Sequence, residues 1–231
     1  EKGSTNLTFD LNGKTISGNY SSTTNGMFTV LGSNVTITDT SPGDTRGSIV
    51  NTDTGNKGSA TIYVKPTSAA DSTFKVNGGV NIKNASASTS SSVVYEHNNA
   101  STAYKPYVEI NDASLEGSGY ITKQTISSGA YAGSIILNGG SYKSTKSYSL
   151  NYSSGTNASF VINGGTFDVN YWSSSLNAFV PAGKHISIDA TEEGTAIDTV
   201  EVKNTAPDNY IAKIQGQNYY LVDGDIGLLQ T

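Results

Sequence analysis

A short cassette recurs along this chain, and its spacing restricts the possible folds more than any other feature. In each copy two apolar residues flank a polar one, then asparagine and usually glycine follow. Five copies fall at residues 9–13, 74–79, 108–111, 135–140 and 160–165, and two looser ones at 35–37 and 186–188. Four of the six intervals between their starts are close to 26 residues. A repeat of this length predicts a solenoid, in which every repeat stacks on its neighbours.

Each repeat carries three short apolar clusters, which in the best-formed unit lie at 135–137, 142 and 148–150. Apolar and polar residues alternate with period two, and no helical period of useful length occurs. Such strands point alternate residues into a tube and the others to solvent. The pattern predicts an all-β fold, a three-sided parallel β-helix of about six to seven coils. Polar stretches at 38–60 and 84–104 lengthen two repeats, and we interpret them as loop insertions.

The repeat pattern ends near residue 190, so we predict a β-helix over residues 1–190. In residues 191–231 a strand-like segment at 199–202 is followed by two more, at 210–214 and 219–222, which read as a β-hairpin. Solenoid ends need covering, because open strand edges pair with other chains. Residues 191–231 are therefore either a C-terminal strand and hairpin cap or the start of a following module.

The asparagine of each cassette is expected to turn the chain between two faces of the tube. Asparagine tolerates left-handed backbone angles, and glycine after it supplies a positive φ. Stacking would align these side chains, and buried amides need hydrogen-bond partners. The sequence therefore predicts an internal ladder of Asn12, Asn77, Asn111, Asn138 and Asn163. Asp112 replaces the glycine in one coil, which makes that rung the least regular.

Composition excludes several classes of function. The chain has no cysteine, a net charge of -5 and a single arginine, Arg46. Nucleic-acid binding is not expected, because phosphate neutralisation needs a basic surface. Membrane insertion is not expected either, because no stretch approaches the roughly 20 apolar residues of a membrane span. The chain begins without a signal peptide, and we expect a monomer or one part of a longer chain.

Catalytic motifs are missing from the sequence. Asn51, Thr52 and Asp53 resemble a short acidic motif of galacturonan hydrolases, but the paired acids that such hydrolysis needs do not follow. No cofactor is predicted. Asp39, Asp44 and Asp53 could meet calcium, but their spacing lacks the signature of a calcium loop, and turn formation is the favoured interpretation. We name no catalytic residue and no metal ligand, and the pattern favours a non-enzymatic role without deciding the question.

Aromatic residues give the one positive signal for binding. Sugar rings stack on exposed tyrosine and tryptophan, and their hydroxyls bond to nearby polar groups. Five aromatic residues flank the polar stretch at 84–104 or follow a predicted strand, and they are our candidate ligand-binding residues: Tyr95, Tyr104, Tyr107, Tyr171 and Trp172. The loops predicted at 84–106 and 113–133 would carry the binding surface.

The segment 6–16, Asn-Leu-Thr-Phe-Asp-Leu-Asn-Gly-Lys-Thr-Ile, resembles a signature of right-handed parallel β-helix modules, pectate-lyase-like in fold, from bacterial cell-surface proteins. Segments 26–30 and 34–39 and the later Asn-Gly-Gly repeats extend the resemblance over residues 6–190. It implies a right-handed helix and a secreted or wall-attached bacterial protein, of the kind often described as an adhesin.

Three hypotheses of function remain open at this point. The first is a non-enzymatic secreted or cell-surface module, an adhesin that binds glycan or a host surface ligand. The second is a polysaccharide lyase or hydrolase with an unrecognised site. The third is a structural spacer of a larger surface protein, since a rigid solenoid is suited to projecting other domains.

Overall fold

The computed structural model describes residues 5–98, 103–127, 132–145, 150–151, 158–169, 185–189, 199–203, 212–214, 217–222 and 225–228, with side chains up to residue 159. The described residues form strands and connecting turns, with no helix. The strands that stack in parallel are β1 (Thr5–Asp10), β2 (Thr15–Gly18), β3 (Gly26–Leu31), β4 (Ser33–Thr38), β5 (Ser48–Asn51), β6 (Ala60–Lys65), β7 (Ser72–Asn77), β8 (Asn81–Asn84), β9 (Ser92–Asn98), β10 (Pro106–Asn111), β11 (Ala113–Gly117), β12 (Tyr120–Ile126), β13 (Gly133–Ser144), β14 (Leu150–Asn151) and β15 (Ala158–Val169).

These strands stack in three parallel columns, which confirms the predicted all-β parallel solenoid. Face 1 consists of β1, β4, β7, β10 and the first halves of β13 and β15. Face 2 consists of β2, β5, β8, β11 and the second halves of β13 and β15. Face 3 consists of β3, β6, β9, β12 and β14. Among the described residues, four turns therefore contribute a separate strand to each of the three faces (β1–β3, β4–β6, β7–β9 and β10–β12), and β13, β14 and β15 continue the stack beyond them.

The solenoid has about four turns, fewer than the six to seven coils that the repeats predicted. The looser repeat at 186–188 is not a coil. It lies in β16 (His185–Asp189), whose one pairing among the described residues is antiparallel, with β17 (Thr199–Lys203). Apolar alternation does not distinguish a parallel from an antiparallel strand, and this repeat lacks the asparagine and glycine that turn the chain at the end of a face 1 strand.

The core is a set of inward-facing apolar rows that run through successive turns. One row on face 1 joins Leu7, Val35, Phe74, Val108 and Ile135 in register. From Val35 onward these side chains are buried, and Phe74 is completely so. The first cassette is therefore stacked two residues away from the position that its sequence suggested, since Leu7 and not Phe9 aligns with Phe74. A shift of two residues keeps every side chain on its own side of the strand, so alternation alone does not fix the register.

The regions predicted as loops at 84–106 and 113–133 contain strands, which make up most of the second region. They contain β9, β11 and β12, which supply two of the three faces of their turns. Polar residues occupy inward as well as outward positions of these short strands, with Glu96, Thr122 and Gln124 buried, and this gave the regions the composition of loops.

The asparagine ladder joins three of the five predicted residues, and it lies on the outer side of the tube. The Asn111 amide donates to the Asn77 Oδ1 at 2.9 Å, and the Asn138 amide donates to the Asn111 Oδ1 at 2.7 Å. Asn77 is exposed, so the ladder is not the internal one that the sequence predicted. Asn12 has a left-handed φ of 44° but lies two residues beyond the ladder position, which Asp10 occupies. Asn163 lies at a register shift between β13 and β15, and its side chain is outside the described residues.

The residue after each ladder asparagine turns the chain with a positive φ, which is 69° at Gly78 and 52° at Asp112. The turn at Asn138 has a further requirement. A Cβ atom on Gly140, whose φ is 97°, would lie 2.0 Å from the Ala113 carbonyl oxygen of the preceding turn. Glycine there lets β13 pass directly from face 1 to face 2.

A second set of asparagines fills the corner between faces 2 and 3, inside the tube. Asn51 and Asn84 are opposite each other in register and are buried. The Asn84 amide donates to the carbonyl oxygens of Ser59 at 3.0 Å and Ser92 at 2.9 Å, and its Oδ1 accepts from the Ser86 N–H at 3.0 Å. These side chains therefore supply hydrogen bonds to backbone groups at the corner, where the chain no longer pairs as a strand.

The C-terminal region ends the parallel stack by antiparallel pairing. β17 pairs with the last parallel strand, β15, over residues 165–168. The predicted hairpin is present as β18 (Ala212–Ile214) and β19 (Gln217–Val222), and β20 (Asp225–Leu228) extends it to three strands. An antiparallel strand on the edge of β15 occupies the backbone groups that another parallel turn would need.

Candidate functional site

The structure separates the candidate aromatic residues. Tyr95 lies on the outer surface of face 3, in β9, whereas Tyr107 lies on the outer surface of face 1, in β10. Tyr104 lies at the corner between them, where its carbonyl oxygen accepts the Asn98 amide at 3.2 Å. Tyr171 and Trp172 are outside the described residues. Tyr95, Tyr104 and Tyr107 are therefore parts of different surfaces rather than of one binding loop.

Face 3 carries the most developed cluster of rings and polar groups. Its strands pack Ile62, Val64 and Val94 into the tube, and the alternate residues stand on the outer surface. In register across the turns, one outer row reads Thr29, Tyr63, Tyr95, Lys123 and Asn151. Beside this row, Leu31 pairs with Lys65 and His97 pairs with Thr125. We call this set the face 3 platform.

The rings of the platform contact one another closely. Tyr95 stacks on His97, with centroids 5.3 Å apart and an interplanar angle of 13°. Tyr63 meets both rings edge-on, at 5.2 Å from Tyr95 and 5.9 Å from His97, and is only 3% exposed as a result. Tyr95 and His97 remain half-buried, so part of this pair is open to solvent. The edge-to-face and stacked contacts hold the two rings in place.

A hydrogen bond joins His97 to Tyr63. The Tyr63 hydroxyl is bonded to the His97 Nδ1, and the tautomer of the imidazole decides which of the two donates. Burial, followed by the neighbouring Tyr95, raises the pKa of Tyr63 to about 12, so the phenol keeps its proton at neutral pH. Burial and the charges of Lys65 and Lys123 lower the pKa of His97, which favours the neutral ring.

The platform carries two lysine side chains, Lys65 and Lys123. Lys123 places its ammonium 4.6 Å from the Tyr95 ring centroid and 5.7 Å from that of Tyr120, which are cation–π contacts. Lys65 lies in β6, two residues after Tyr63. Glu96, between Tyr95 and His97 in sequence, points into the tube and is buried. The two ion pairs found among the described residues lie on other faces, between Lys75 and Glu109 and between Lys83 and Glu116.

Tyr107 belongs to a second, smaller arrangement on face 1. Its hydroxyl donates to Glu109 Oε2 at 2.8 Å, and the Lys75 ammonium lies 5.5 Å from its ring centroid. Burial and Glu109 raise the pKa of Tyr107 to about 12, and the hydrogen bond from Lys75 is the main cause that lowers the pKa of Glu109. Tyr107 also lines a cleft of about 420 Å³ with Asp71, Lys105 and Ser134. The polar groups of this arrangement, those of Tyr107, Glu109 and Lys75, bond to one another.

The acidic residues considered for calcium are placed in turns. Asp39 accepts the backbone N–H groups of Gly13 and Ser41, at 2.8 and 3.2 Å, and that of Gly47, and these bonds lower its pKa to about 2. Asp53 Oδ1 accepts from Gly55 at 3.2 Å, while its buried Oδ2 has no partner among the described residues. The described part of the chain contains no group of three or more histidine and acidic side chains that could hold a metal ion.

Sequence reasoning identified Tyr95 but missed Tyr63, Lys65, His97 and Lys123. A signal was present in the pair of segments Ile-Tyr-Val-Lys at 62–65 and Val-Tyr-Glu-His at 94–97. Both read as an inward residue, an outward tyrosine, an inward residue and an outward basic side chain. The repeat was not recognised because the second segment lies within the stretch interpreted as a loop.

Comparisons with protein-family models, with curated proteins and with solved structures find no match for this chain. Within the described residues, no helix has the length and hydropathy needed to cross a membrane.

Proposed function

We propose that this chain is a non-enzymatic module of a secreted or cell-surface protein, an adhesin that binds glycan through the face 3 platform. The observation that carries the proposal is the stacked Tyr95–His97 pair, which stands partly open on a flat strand surface. The bacterial cell-surface setting rests on the resemblance of the 6–16 segment and the later repeats.

The platform has the two properties that sugar binding requires. The rings are held by their contacts with Tyr63, so packing a sugar against the exposed part of the Tyr95–His97 pair costs little side-chain entropy. Hydrogen-bonding groups surround them, since Thr125 and Asn151 lie on the same outer rows as His97 and Tyr95. A flat strand surface gives room for several sugar units of an extended chain, in line with the turns.

A glycan array probed with the full chain tests this proposal. We expect a defined set of glycans to bind, Tyr95→Ala to lose most of that binding, and Tyr95→Phe, which keeps the ring, to retain it. Tyr107→Ala, on face 1, is the matched control and is expected to bind as the wild type does. Circular dichroism would establish that each variant is folded.

Two results would contradict the proposal. Equal binding by wild type and Tyr95→Ala would remove the platform from the binding surface. A chain that binds no glycan at all would favour a structural spacer.

A further inference from the structure

We propose that two copies of this chain bind end to end through their first turns, β1 to β3, and form a closed dimer about a twofold axis. The sequence led us to expect a monomer or one part of a longer chain, and the open first turn is what argues for a pair of copies. The inference concerns the end of the tube and not the outer side of face 3, so it stands whether or not the platform binds glycan.

The first turn has a free strand edge on each of the three faces. Among the described residues, β1 pairs only with β4, β2 only with β5 and β3 only with β6. The other edge of each strand carries backbone N–H and C=O groups that face away from the solenoid, and such groups are a template for strands of another chain. What covers this end must therefore offer strand edges in return.

The apolar rows inside the tube are open at the same end. On face 1 Leu7 begins the row that continues with Val35, and on face 2 Ile16 begins the row that continues with Ile49. Leu7 is 43% exposed and Ile16 is 37% exposed, whereas Val35 and Ile49 are buried. The exposed side chains are thus core residues whose outer neighbours are missing from the described part of the chain.

Two phenylalanine rings add apolar surface between faces 1 and 3. Phe9 of β1 and Phe28 of β3 meet edge-on, with centroids 5.9 Å apart. They are in register with Ile37 and Ile62, which are completely buried, yet both rings are only partly buried. Each face therefore contributes apolar surface to this end, and a second end placed on it would bury that surface as one turn buries the next.

The first turn lacks the features that keep strand edges from pairing. Its three strands contain no proline, lysine or arginine, which commonly protect such edges. Their one acidic side chain, Asp10, accepts the Thr40 N–H at 3.0 Å and also the Thr40 hydroxyl, so it is held towards the second turn. Residues 5–31 contain only Asp10 and Lys14 as charged side chains, so two first turns can meet without the repulsion that a net charge of -5 would otherwise cause.

The far end of the solenoid determines how the copies are arranged. A head-to-tail stack would place the first turn of one copy on the last parallel strand of another, but on face 2 the edge of β15 is already occupied by β17 over residues 165–168. Two first turns can instead face each other about a twofold axis at right angles to the solenoid. Facing strands are then antiparallel, one of them pairs with its own copy, and the assembly closes at two chains.

Sedimentation velocity of the full chain tests the proposal. As the concentration rises from about 1 µM to about 300 µM, we expect the mass to rise from that of one chain to that of two and then to stop. At the dilute end the chain is expected to be a monomer with an open first turn. A monomer at every concentration would overturn the proposal, and so would growth beyond two chains.

Lysine variants locate the interface. Leu7→Lys and, on face 2, Ile16→Lys are each expected to raise the dissociation constant at least about tenfold, because burying an unpaired charge is costly and like charges of the two copies would meet. Thr89→Lys adds the same charge to an exposed turn of the third coil and is expected to dimerise as the wild type does. Circular dichroism would establish that each variant is folded. Equal dissociation constants for the three variants would overturn the proposal.

Hydrogen exchange gives a readout that needs no variant. Peptides that contain β1, β2 and β3 should exchange more slowly at about 300 µM than at about 1 µM, because their free edges become paired in the dimer. A peptide that contains β7, which has strands on both sides, should exchange equally at the two concentrations. A dimer whose first turn gains no protection would show that the copies meet elsewhere.

Discussion

At the scale of single residues, Glu96 is the most deeply buried of the acidic side chains that the structure describes. It is completely buried inside the tube, among the inward residues of β9 and β12. Burial raises its pKa to about 8, although the hydrogen bonds from Gln124 and from the Ser134 N–H oppose that rise. A carboxyl group with a raised pKa is protonated in the folded chain under conditions in which the unfolded chain has already released the proton.

This raised pKa predicts a pH dependence of stability. Between the ordinary glutamate pKa and about 8, the folded chain holds a proton that the unfolded chain has lost, so the free energy of unfolding falls as the pH rises. Glu96→Gln cannot titrate and removes this slope. Urea unfolding of both chains at intervals from about pH 4 to pH 9 would measure it. We expect the wild type to lose stability relative to Glu96→Gln as the pH rises, and parallel curves would show that Glu96 is not responsible.

At the scale of strands and corners, the two sets of asparagines are expected to differ in energetic weight. Asn84→Ala leaves the carbonyl groups of Ser59 and Ser92 and the N–H of Ser86 buried without that partner. Each unsatisfied buried group costs about 1–3 kcal/mol, so the free energy of unfolding should fall by roughly 3 kcal/mol or more. Asn77→Ala, in the exposed outer ladder, should cost less than about 1 kcal/mol. Denaturant unfolding of both variants compares them, and similar losses would refute the distinction.

Much of the element pattern could be predicted from the sequence. Period-two alternation and a repeat near 26 residues predicted parallel strands in three faces, because few other folds stack short strands at a fixed interval. The buried corner at Asn84 was not predicted, since only the face 1 asparagines are followed by a recognisable glycine. The predicted number of turns was too high, and one reason is that the apolar residues at 186–188, which were counted as a repeat, lie in an antiparallel pair of strands that alternates in the same way.

The candidate site was less predictable than the fold. Tyr95 was identified from residue type alone. Its partners Tyr63 and Lys123 are 32 and 28 residues away in sequence, and they meet it only because β6, β9 and β12 stack in register. The register depends on the lengths of the corners, and these vary from turn to turn without a sequence signature.

At the scale of the whole molecule, burial varies along the solenoid. Leu7 occupies an inward row on β1 but is 43% exposed, because among the described residues no strand covers that side of the first turn. Leu137, on an inward row of β13, has strands on both sides and is 0% exposed. Two leucine side chains on the same face of the solenoid therefore bury different areas of apolar surface.

The stability of leucine variants should follow this gradient. Leu137→Ala is expected to cost about 2–5 kcal/mol, the usual range for a buried leucine, whereas Leu7→Ala should cost less than about 1 kcal/mol because less of its surface is buried. Thermal and urea unfolding of the two variants would measure the difference. A large loss in Leu7→Ala would mean that other parts of the chain, or a second chain, cover the first turn in solution.

The direction of the backbone hydrogen bonds has a mechanical consequence. They lie across the strands, so between stacked turns they run along the length of the solenoid. A pull along that length loads the bonds of one interface end-on, and a turn can peel from its neighbour without disturbing the turns beyond. A molecule built in this way is expected to extend under tension in successive small steps, one turn at a time. A sheet pulled along its strands would instead resist until many hydrogen bonds break together.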